Sequence, residues 1–279
     1  MALAFVKMQG LGNDFIVVDR REAGVPLPPA ECIALCDRHR GIGADGVLAV
    51  LPSDSAPLAM HVTNSDGSIA EMCGNGLRCV ARYAVDRGLL PAAGGVIDTG
   101  RGLLECHVEP DGEIRVDMGA PVLIPERIPA QYPGQWAVEV PLELANERLI
   151  ITAVSMGNPH AVAFVPEGQD VREWAVRLGP AVERHHAFPN RTNAEFARFT
   201  GPRAIELVVW ERGAGLTQAC GTGACATVVA AILNGLARVE ETIRVFLPGG
   251  ALRVRVETSF ARVWMMGPAV EVYRGEIPA

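Results

Sequence analysis

Two cysteines each begin a glycine-rich tetrapeptide that opens a predicted helix, Cys73 in CGNG and Cys220 in CGTG. Backbone N–H groups at a helix N-terminus lack partners and favour negative charge, so a thiol placed there ionises more readily than an ordinary thiol. The flanking glycines let a ligand approach the backbone, and the same N–H groups can hold a carboxylate. Two such thiols around one ligand could remove a proton from one face of a carbon and return it to the other. The pattern predicts racemisation or epimerisation.

A cysteine at the start of a single helix is often only a small packed side chain, so each position also has a structural interpretation. The same arrangement at both positions favours the acid/base interpretation. Cys79 and Cys225 fall inside the predicted helices and are expected to be packing residues. The sequence contains no CxxC pair and no Cys/His spacing typical of zinc, so it predicts reduced thiols and no metal site.

Two similar series of predicted elements position the cysteines. In the first half, a strand, a glycine turn and a second strand precede a helix within 28–41, two more strands, and a helix from about Gly74 to Asp86. Three strands close that half. The second half repeats this order, with short helices predicted over 170–179 and 180–188 and an apolar helix from about Gly221 to Leu233. A helix that is apolar on all sides must be enclosed by other elements.

Special residues recur at a nearly constant spacing in the two halves. Cys220 follows Cys73 by 147 residues, and Glu211 follows Asn64 by the same number. Such a register indicates an internal duplication. We therefore expect an α+β fold of two pseudo-symmetric domains, each a mainly antiparallel, barrel-like sheet wrapped around a central helix, with the active site in the cleft between them.

The overall composition favours a small-molecule substrate. The formal net charge is −7 and no basic run stands out, which argues against nucleic acid or an anionic membrane as a partner. No secretory signal and no bilayer-spanning apolar run is present, so we expect a cytoplasmic protein. Lys7 is the only lysine among 25 basic residues and follows no glycine-rich loop, which argues against a pyridoxal-phosphate or P-loop site. The sequence thus predicts an enzyme without a cofactor.

The residues around Cys73 closely resemble the signature of the diaminopimelate epimerase family, in NSDGS at 64–68 and CGNGLR at 73–78. MQGLGNDF, SMGNPHAV and ERGAGLTQACGTGACA are similar to the same family, and the resemblance covers nearly the whole chain. It implies a homodimeric, pyridoxal-independent enzyme that interconverts LL- and meso-2,6-diaminopimelate in lysine and peptidoglycan precursor biosynthesis. The implied domains are 1–119, to which 268–279 return, and 120–267.

The resemblance also implies a role for each residue that matches a family motif. Cys73 and Cys220 are the acid/base pair, and His160 with Glu211 tunes the thiols. Glu211 can pair with an ammonium group and Arg212 can bind a carboxylate through two hydrogen bonds, as a substrate with two amino-acid heads requires. Asparagines suit zwitterionic heads because they donate and accept without net charge. Backbone N–H groups of Gly74, Asn75, Gly221 and Thr222 hold the reacting carboxylate, and the rest of the substrate contacts Asn13, Asn64, Asn158, Asn193, Glu211 and Arg212.

Several of these positions have a second interpretation. Asn13 and Asn158 each follow a glycine in a predicted turn and could equally serve the turn itself. His160 follows a proline in such a turn and could likewise be structural. Gly46 departs from the family pattern, because some members carry a substrate-contacting glutamine at this position, which corresponds to Asn193 in the second half. That contact is therefore absent, made by water or supplied by a neighbouring residue.

Other functions fit part of the pattern. Proline racemases and hydroxyproline epimerases also use paired cysteines, but a proline ligand has no second head for Glu211 and Arg212. Phenazine-type isomerases share the architecture and lack the cysteine pair. A thiol redox protein, in which Cys73 and Cys220 form a regulatory disulfide, is the alternative from a different class. Solvent deuterium separates these functions, since an epimerase adds it to the α-carbon of its substrate and a redox protein does not.

Overall fold

The computed structural model describes residues 2–70, 73–145 and 147–277. The chain forms two compact units, a first unit of Met1–Asp117 with Met266–Ala279 and a second unit of Met118–Met265. The domain boundaries at 119/120 and 267/268 stay a prediction. No helix in the described ranges is long and apolar enough to cross a membrane.

The first unit is a mixed, mainly antiparallel sheet with two helices. Its strands pair in the order β18-β1-β2-β3-β4-β6-β7-β8, with parallel pairs at β2–β3 and β4–β6 and a short β5 beside β4. The elements are β1 (Leu3–Gly10), β2 (Asn13–Asp19), α1 (Pro29–Cys36), β3 (Gly46–Leu51), β4 (Ala59–Asn64), β5 (Ile69–Ala70), α2 (Gly74–Asp86), β6 (Gly94–Thr99), β7 (Gly102–Val108), β8 (Ile114–Asp117) and β18 (Val270–Ile277).

The second unit repeats this arrangement. Its strands pair in the order β9-β10-β11-β12-β13-β15-β16, with parallel pairs at β11–β12 and β13–β15 and a short β14 beside β13. The elements are β9 (Val140–Glu143), β10 (Arg148–Ser155), β11 (Pro159–Phe164), α3 (Val171–Glu183), β12 (Asn193–Gly201), β13 (Ala204–Glu211), β14 (Gly215–Leu216), α4 (Gly221–Leu233), β15 (Thr242–Leu247), β16 (Gly250–Val256) and β17 (Val263–Gly267), the last of which crosses the boundary between the units.

The two central helices have equal lengths and equivalent positions in the two halves of the chain. Both α2 and α4 have 13 residues, and α4 begins and ends 147 positions after α2. Helix α2 contacts every long strand of its unit, and α4 contacts β10, β11, β12 and β16. Every residue of α4 from Gly223 to Ala231 is buried. The predicted α+β fold, duplicated around two enclosed helices, is confirmed, and Cys79 and Cys225 are fully buried packing residues.

Two predicted helices differ from those observed. Helix α1 ends at Cys36 rather than at Gly41, because Asp37 Oδ1 accepts hydrogen bonds from the backbone of His39 and Arg40 and turns the chain. The two short helices predicted over 170–179 and 180–188 are one helix, α3, with Pro180 inside it. Proline removes only the bond to the carbonyl of Val176, which lies on an exposed turn.

Candidate active site

Cys73 is the N-cap residue of α2. Its backbone is extended, with φ −135° and ψ 112°, and its Sγ accepts a hydrogen bond from the Gly76 amide at 3.4 Å. The side chain is half-buried. The thiol therefore stands at the helix start that the sequence predicts, where a ligand's negative charge is also favoured.

A chain of side-chain hydrogen bonds fixes the amides beside Cys73. Asn13 Nδ2 donates to Asp45 Oδ2 at 2.6 Å, so its Oδ1 faces the helix start and accepts from Asn75 Nδ2 at 3.2 Å. Asn75 Oδ1 in turn accepts from Arg78, a fully buried side chain, at 2.8 Å. Cys73 Sγ lies 3.9 Å from Asn13 Oδ1. The structure thus brings three predicted site residues, Asn13, Cys73 and Asn75, into one contact network.

Charged side chains hold this series of hydrogen bonds in place. Arg38 bonds both Asp14 and Asp45 at 2.7 Å, and Lys7 pairs with Asp14 at 2.5 Å. Burial alone raises the pKa of Asp14, but hydrogen bonds and charges from Arg38 and Lys7 outweigh it and lower this pKa to about 2. The single lysine is therefore committed to a largely buried ion pair. This cluster holds Asp45, and through it Asn13.

Asn64 and Gly46 lie at one end of the paired strands β3 and β4. Asn64 Nδ2 donates to Ser68 Oγ at 2.9 Å, within the tight turn that follows β4. A Cβ added to Gly46 would lie 2.8 Å from the carbonyl oxygen of Thr63. The close approach of β4 therefore leaves no room for a side chain at position 46 in this chain.

Cys220 repeats the geometry of Cys73 at the start of α4. Its φ and ψ are −123° and 106°, and its Sγ accepts from the Gly223 amide at 3.4 Å. Thr222 Oγ1 lies 3.6 Å from the sulfur. Unlike Cys73, Cys220 is buried, and burial, reinforced by Glu211 and Glu195, raises its pKa well above the ordinary thiol value. The expected lowering of the thiol pKa by the helix start is thus overridden at Cys220.

Glu211 is the last residue of β13 and lies near Cys220, and Arg212 follows it in the chain. Burial raises the pKa of Glu211, whose Oε1 accepts from Thr217 at 2.5 Å. Arg212 is exposed and its Nη1 donates to the Asn190 carbonyl at 3.2 Å. The buried side-chain amide of Asn193 makes two hydrogen bonds with the backbone. Its Nδ2 donates to Pro159 O at 2.9 Å, and its Oδ1 accepts from the Arg212 amide at 2.9 Å. Asn193 therefore positions Arg212.

His160 lies on β11 with its ring fully buried. Its Nδ1 is 2.7 Å from Glu195 Oε1, and its Nε2 is 3.0 Å from Asn158 Oδ1. Asn158 Nδ2 donates to Thr222 Oγ1 at 3.4 Å. The second unit thus gathers five predicted residues, His160, Asn158, Thr222, Cys220 and Glu211, around one helix start. Glu195 was missed by sequence reasoning, although a glutamate within the apolar strand AEF was a usable signal.

No three His, Cys, Asp or Glu side chains among the described residues are grouped so that they could hold a metal ion. The arrangement offers two helix starts, each with a thiol, first-turn amides that have no partner within the helix, and oriented asparagines. Such groups can bind a carboxylate and exchange protons with a carbon beside it.

Comparison with known proteins gives a consistent picture. A family model described as diaminopimelate epimerase matches residues 5–124 and 152–272. The diaminopimelate epimerase of Synechococcus sp. (strain JA-3-3Ab) is 49% identical over 280 residues, covering 98% of this chain and 97% of that protein. The diaminopimelate epimerase of Desulfitobacterium hafniense is 45% identical, with the same two coverages of 98% and 97%.

Solved structures share the fold at low sequence identity. A probable proline racemase from Agrobacterium radiobacter superposes with a TM-score of 0.70 at 17% identity, over 99% of this chain and 93% of that one. A phenazine biosynthesis protein of the PhzF family from Bacillus anthracis gives a TM-score of 0.70 at 17% identity, with both chains fully covered at 100%.

Proposed function

Because this chain belongs to the diaminopimelate epimerase family, we propose that it interconverts LL- and meso-2,6-diaminopimelate without a cofactor, using Cys73 and Cys220 as its two acid/base groups. One observation carries the assignment of the cysteines. Equivalent positions of the two units hold a thiol in the same N-cap geometry, with the same 3.4 Å hydrogen bond from the third helical residue.

The reaction moves one proton off the α-carbon and another on. One cysteine, as thiolate, takes the α-proton and becomes a thiol, while the bonding pair left on carbon spreads into the adjacent carboxylate. First-turn N–H groups at Gly74, Asn75, Gly221 and Thr222 stabilise that charge. The other cysteine donates its proton to the opposite face of the carbon and becomes a thiolate. The scheme requires both sulfur atoms to reach opposite faces of the bound substrate.

A second amino-acid head distinguishes diaminopimelate from proline. Glu211 is suited to an ammonium group and Arg212 to a carboxylate, and Asn13, Asn64 and Asn158 can donate to and accept from either head. Asn193 contributes by holding the Arg212 backbone. Glu211 acts on the Cys220 thiol by its charge, and His160 acts on it through Asn158 and Thr222.

The test is turnover of LL-diaminopimelate by the purified chain, followed by chiral chromatography. We expect the meso isomer to appear until the two forms reach equilibrium, and activity to persist after dialysis against a chelator. L-Proline and trans-4-hydroxy-L-proline are the matched alternative substrates, and neither should be converted. Conversion of L-proline but not of diaminopimelate would overturn the substrate assignment.

We further propose that the protein is a cytoplasmic homodimer. An exposed apolar row on β18, formed by Val270, Val272 and Tyr273, supports self-association. No disulfide joins any of the seven cysteines, all of which lie in the described ranges, as suits a reducing compartment. Light scattering coupled to size exclusion should give twice the chain mass of 29.7 kDa, and a mass of one chain would contradict the dimer.

A further inference from the structure

A buried carboxyl stands in the second unit where the first unit has an aliphatic side chain. Phe15 on β2 pairs with the first residue of β3, and Leu48 is the third residue of that strand. His160 on β11 pairs with the first residue of β12, and Glu195 is the third. By strand register, His160 and Glu195 therefore occupy the positions of Phe15 and Leu48.

The equivalence extends to the central helices. A Cβ added to Gly76 would lie 3.0 Å from Leu48 Cδ2, and a Cβ added to Gly223 would lie 3.0 Å from Glu195 Oε1. The same atom on Gly223 would lie 3.2 Å from Cys220 Sγ. The Glu195 carboxyl and the Cys220 thiol thus border the same helical glycine.

The fold does not need a carboxyl at this position. Leu48 fills it in the first unit with no exposed surface, and Phe15 is also buried. In the second unit His160 and Glu195 are both fully buried, so each has given up its hydration. A buried polar pair is often no more stable than well-packed apolar side chains of similar volume. Packing therefore gives no reason for a carboxyl group here.

The contacts of this pair lead towards Cys220. Glu195 Oε1 lies 2.7 Å from His160 Nδ1, and the other ring nitrogen lies 3.0 Å from Asn158 Oδ1. Asn158 reaches Thr222 Oγ1 at 3.4 Å, and that hydroxyl lies 3.6 Å from Cys220 Sγ. An imidazole bonded at both nitrogens is fixed in rotation, and the amide that it contacts is fixed with it.

The geometry points to Glu195 as a positioning residue that holds the His160 ring, and through it the amide of Asn158, in register with the Cys220 helix start. The role of Glu195 in turnover rests on the proposed function, in which Asn158 and Cys220 contact the substrate. The contact between Glu195 and His160 does not depend on that function. The two can therefore be measured separately.

Three variants distinguish the positioning role of Glu195 from a contribution to packing alone. Glu195→Gln retains the shape and an acceptor oxygen but removes the ionisable group, and kcat/KM should fall about 10- to 100-fold, the range found for residues that orient a metal-bound histidine. Most of that loss should be in kcat, because the misplaced groups surround the reacting atoms. Glu195→Leu should lose more, since it leaves a buried ring nitrogen unpaired.

The double variant His160→Phe/Glu195→Leu copies the residues of the first unit. We expect it to unfold at a higher temperature than Glu195→Leu, because no ring nitrogen is left unpaired, while its kcat/KM is no higher. Stability and activity should therefore move apart. A purely structural role for the His160–Glu195 pair would make them recover together.

Proton NMR of protein labelled with 15N-histidine supplies a measurement independent of activity. The His160 N–H proton in the bond to Glu195 should be protected from exchange and shifted downfield, and its absence in the double variant assigns it. We expect it to move in Glu195→Gln and to disappear in Glu195→Leu. Glu183→Gln is the matched control, because Glu183 is also buried in this unit but bonds Trp210 Nε1 at 3.0 Å, and it should leave the signal unchanged.

An unchanged His160 signal in Glu195→Leu, or a kcat/KM of that variant within about twofold of the wild-type value, would overturn the positioning role. If the wild type fails to convert diaminopimelate while the His160 signal responds to Glu195 as expected, the proposed function falls and the hold of Glu195 on His160 stands.

Discussion

The surroundings of Cys73 and Cys220 differ although their backbones match. Both are N-cap residues with extended backbones and the same hydrogen bond from the third helical residue. Cys73 is half-buried beside neutral amides, whereas Cys220 is buried near two carboxyl groups, those of Glu211 and Glu195. The duplicated fold thus preserves the element that holds the thiol and changes the charge around it.

This difference bears on the protonation of Cys220. Burial and the neighbouring carboxyl groups raise its pKa and so favour its protonated form. A two-base epimerisation needs one donor and one acceptor at the start of each turnover. Side chains outside the helix start can supply that inequality without altering the backbone geometry that both thiols share.

Removal of either thiol should have the largest effect. Cys73→Ala and Cys220→Ala should each lower kcat by at least about 100- to 10,000-fold, because each face of the carbon needs its own proton carrier. Cys106→Ala, another buried cysteine, is the control, and it should keep kcat/KM within about twofold even where it unfolds more easily. Near-normal turnover in either active-site variant would remove the basis of the comparison.

Neutralising Glu211 should separate activity from stability. Glu211→Gln should lower kcat/KM by roughly 30-fold or more, equivalent to about 2–5 kcal/mol, because the substrate ammonium loses a partly buried partner. The same variant should unfold at a higher temperature near pH 7, since burial raises the pKa of Glu211 and ionising it destabilises the folded state.

The stability gain should depend on pH in a defined direction. Below the unfolded pKa of glutamate, about 4.3, both states are protonated and the wild type and Glu211→Gln should differ little. The difference should grow as the pH rises through that value towards the folded pKa. Thermal unfolding of both proteins from pH 4 to pH 8 checks this, and a difference that shrinks with rising pH would be inconsistent with a raised Glu211 pKa.

Alkylation should distinguish the two thiols directly. Iodoacetamide reacts with thiolates, and each unit of pKa changes the thiolate fraction tenfold. We expect Cys73 to be modified faster than the buried Cys220 by about an order of magnitude or more. Mass spectrometry of peptides sampled over time measures both rates in one protein. Faster modification of Cys220 would reverse the assigned inequality.

Removal of Asp45, which orients Asn13 beside Cys73, should have the smallest effect. Asp45→Ala removes the acceptor that orients Asn13 and should lower kcat/KM about 5- to 30-fold, equivalent to about 1–2 kcal/mol. Asp37→Ala is the control in the same loop. The Asp37 carboxylate accepts hydrogen bonds from the backbone of His39 and Arg40 rather than from the Asn13 amide. Equal losses in the two variants would indicate a general loop effect rather than orientation of Asn13.

The features that local sequence determines were predictable. Helices α2 and α4 begin and end at the residues predicted, because a capping cysteine, glycines and an apolar run are all local signals. The duplication was visible because it preserved spacing as well as composition. Local signals failed where tertiary contacts override them, as at Pro180, which α3 accommodates in its interior although proline usually ends a helix.

The polar contacts behind the thiols were not predictable. His160 and Glu195 are 35 positions apart and meet only because β11 and β12 pair in parallel in one particular register. Asp45 reaches Asn13 across a similar separation of 32 positions. Sequence spacing does not report such pairings, and the charge of a residue does not reveal that it is buried. The raised pKa of Cys220 follows from its burial and from the nearby Glu211 and Glu195, and therefore required the structure.

The isotope content of the first product molecules tests the two-thiol mechanism most directly. LL-Diaminopimelate is incubated with the wild-type protein in heavy water, and both isomers are analysed by mass spectrometry before conversion becomes extensive. We expect the meso product to carry deuterium at the inverted carbon from the first turnover, while the remaining LL substrate stays unlabelled. Product that retains the substrate's own hydrogen at that carbon would show that one group removes and returns the proton, and would contradict the two-thiol mechanism.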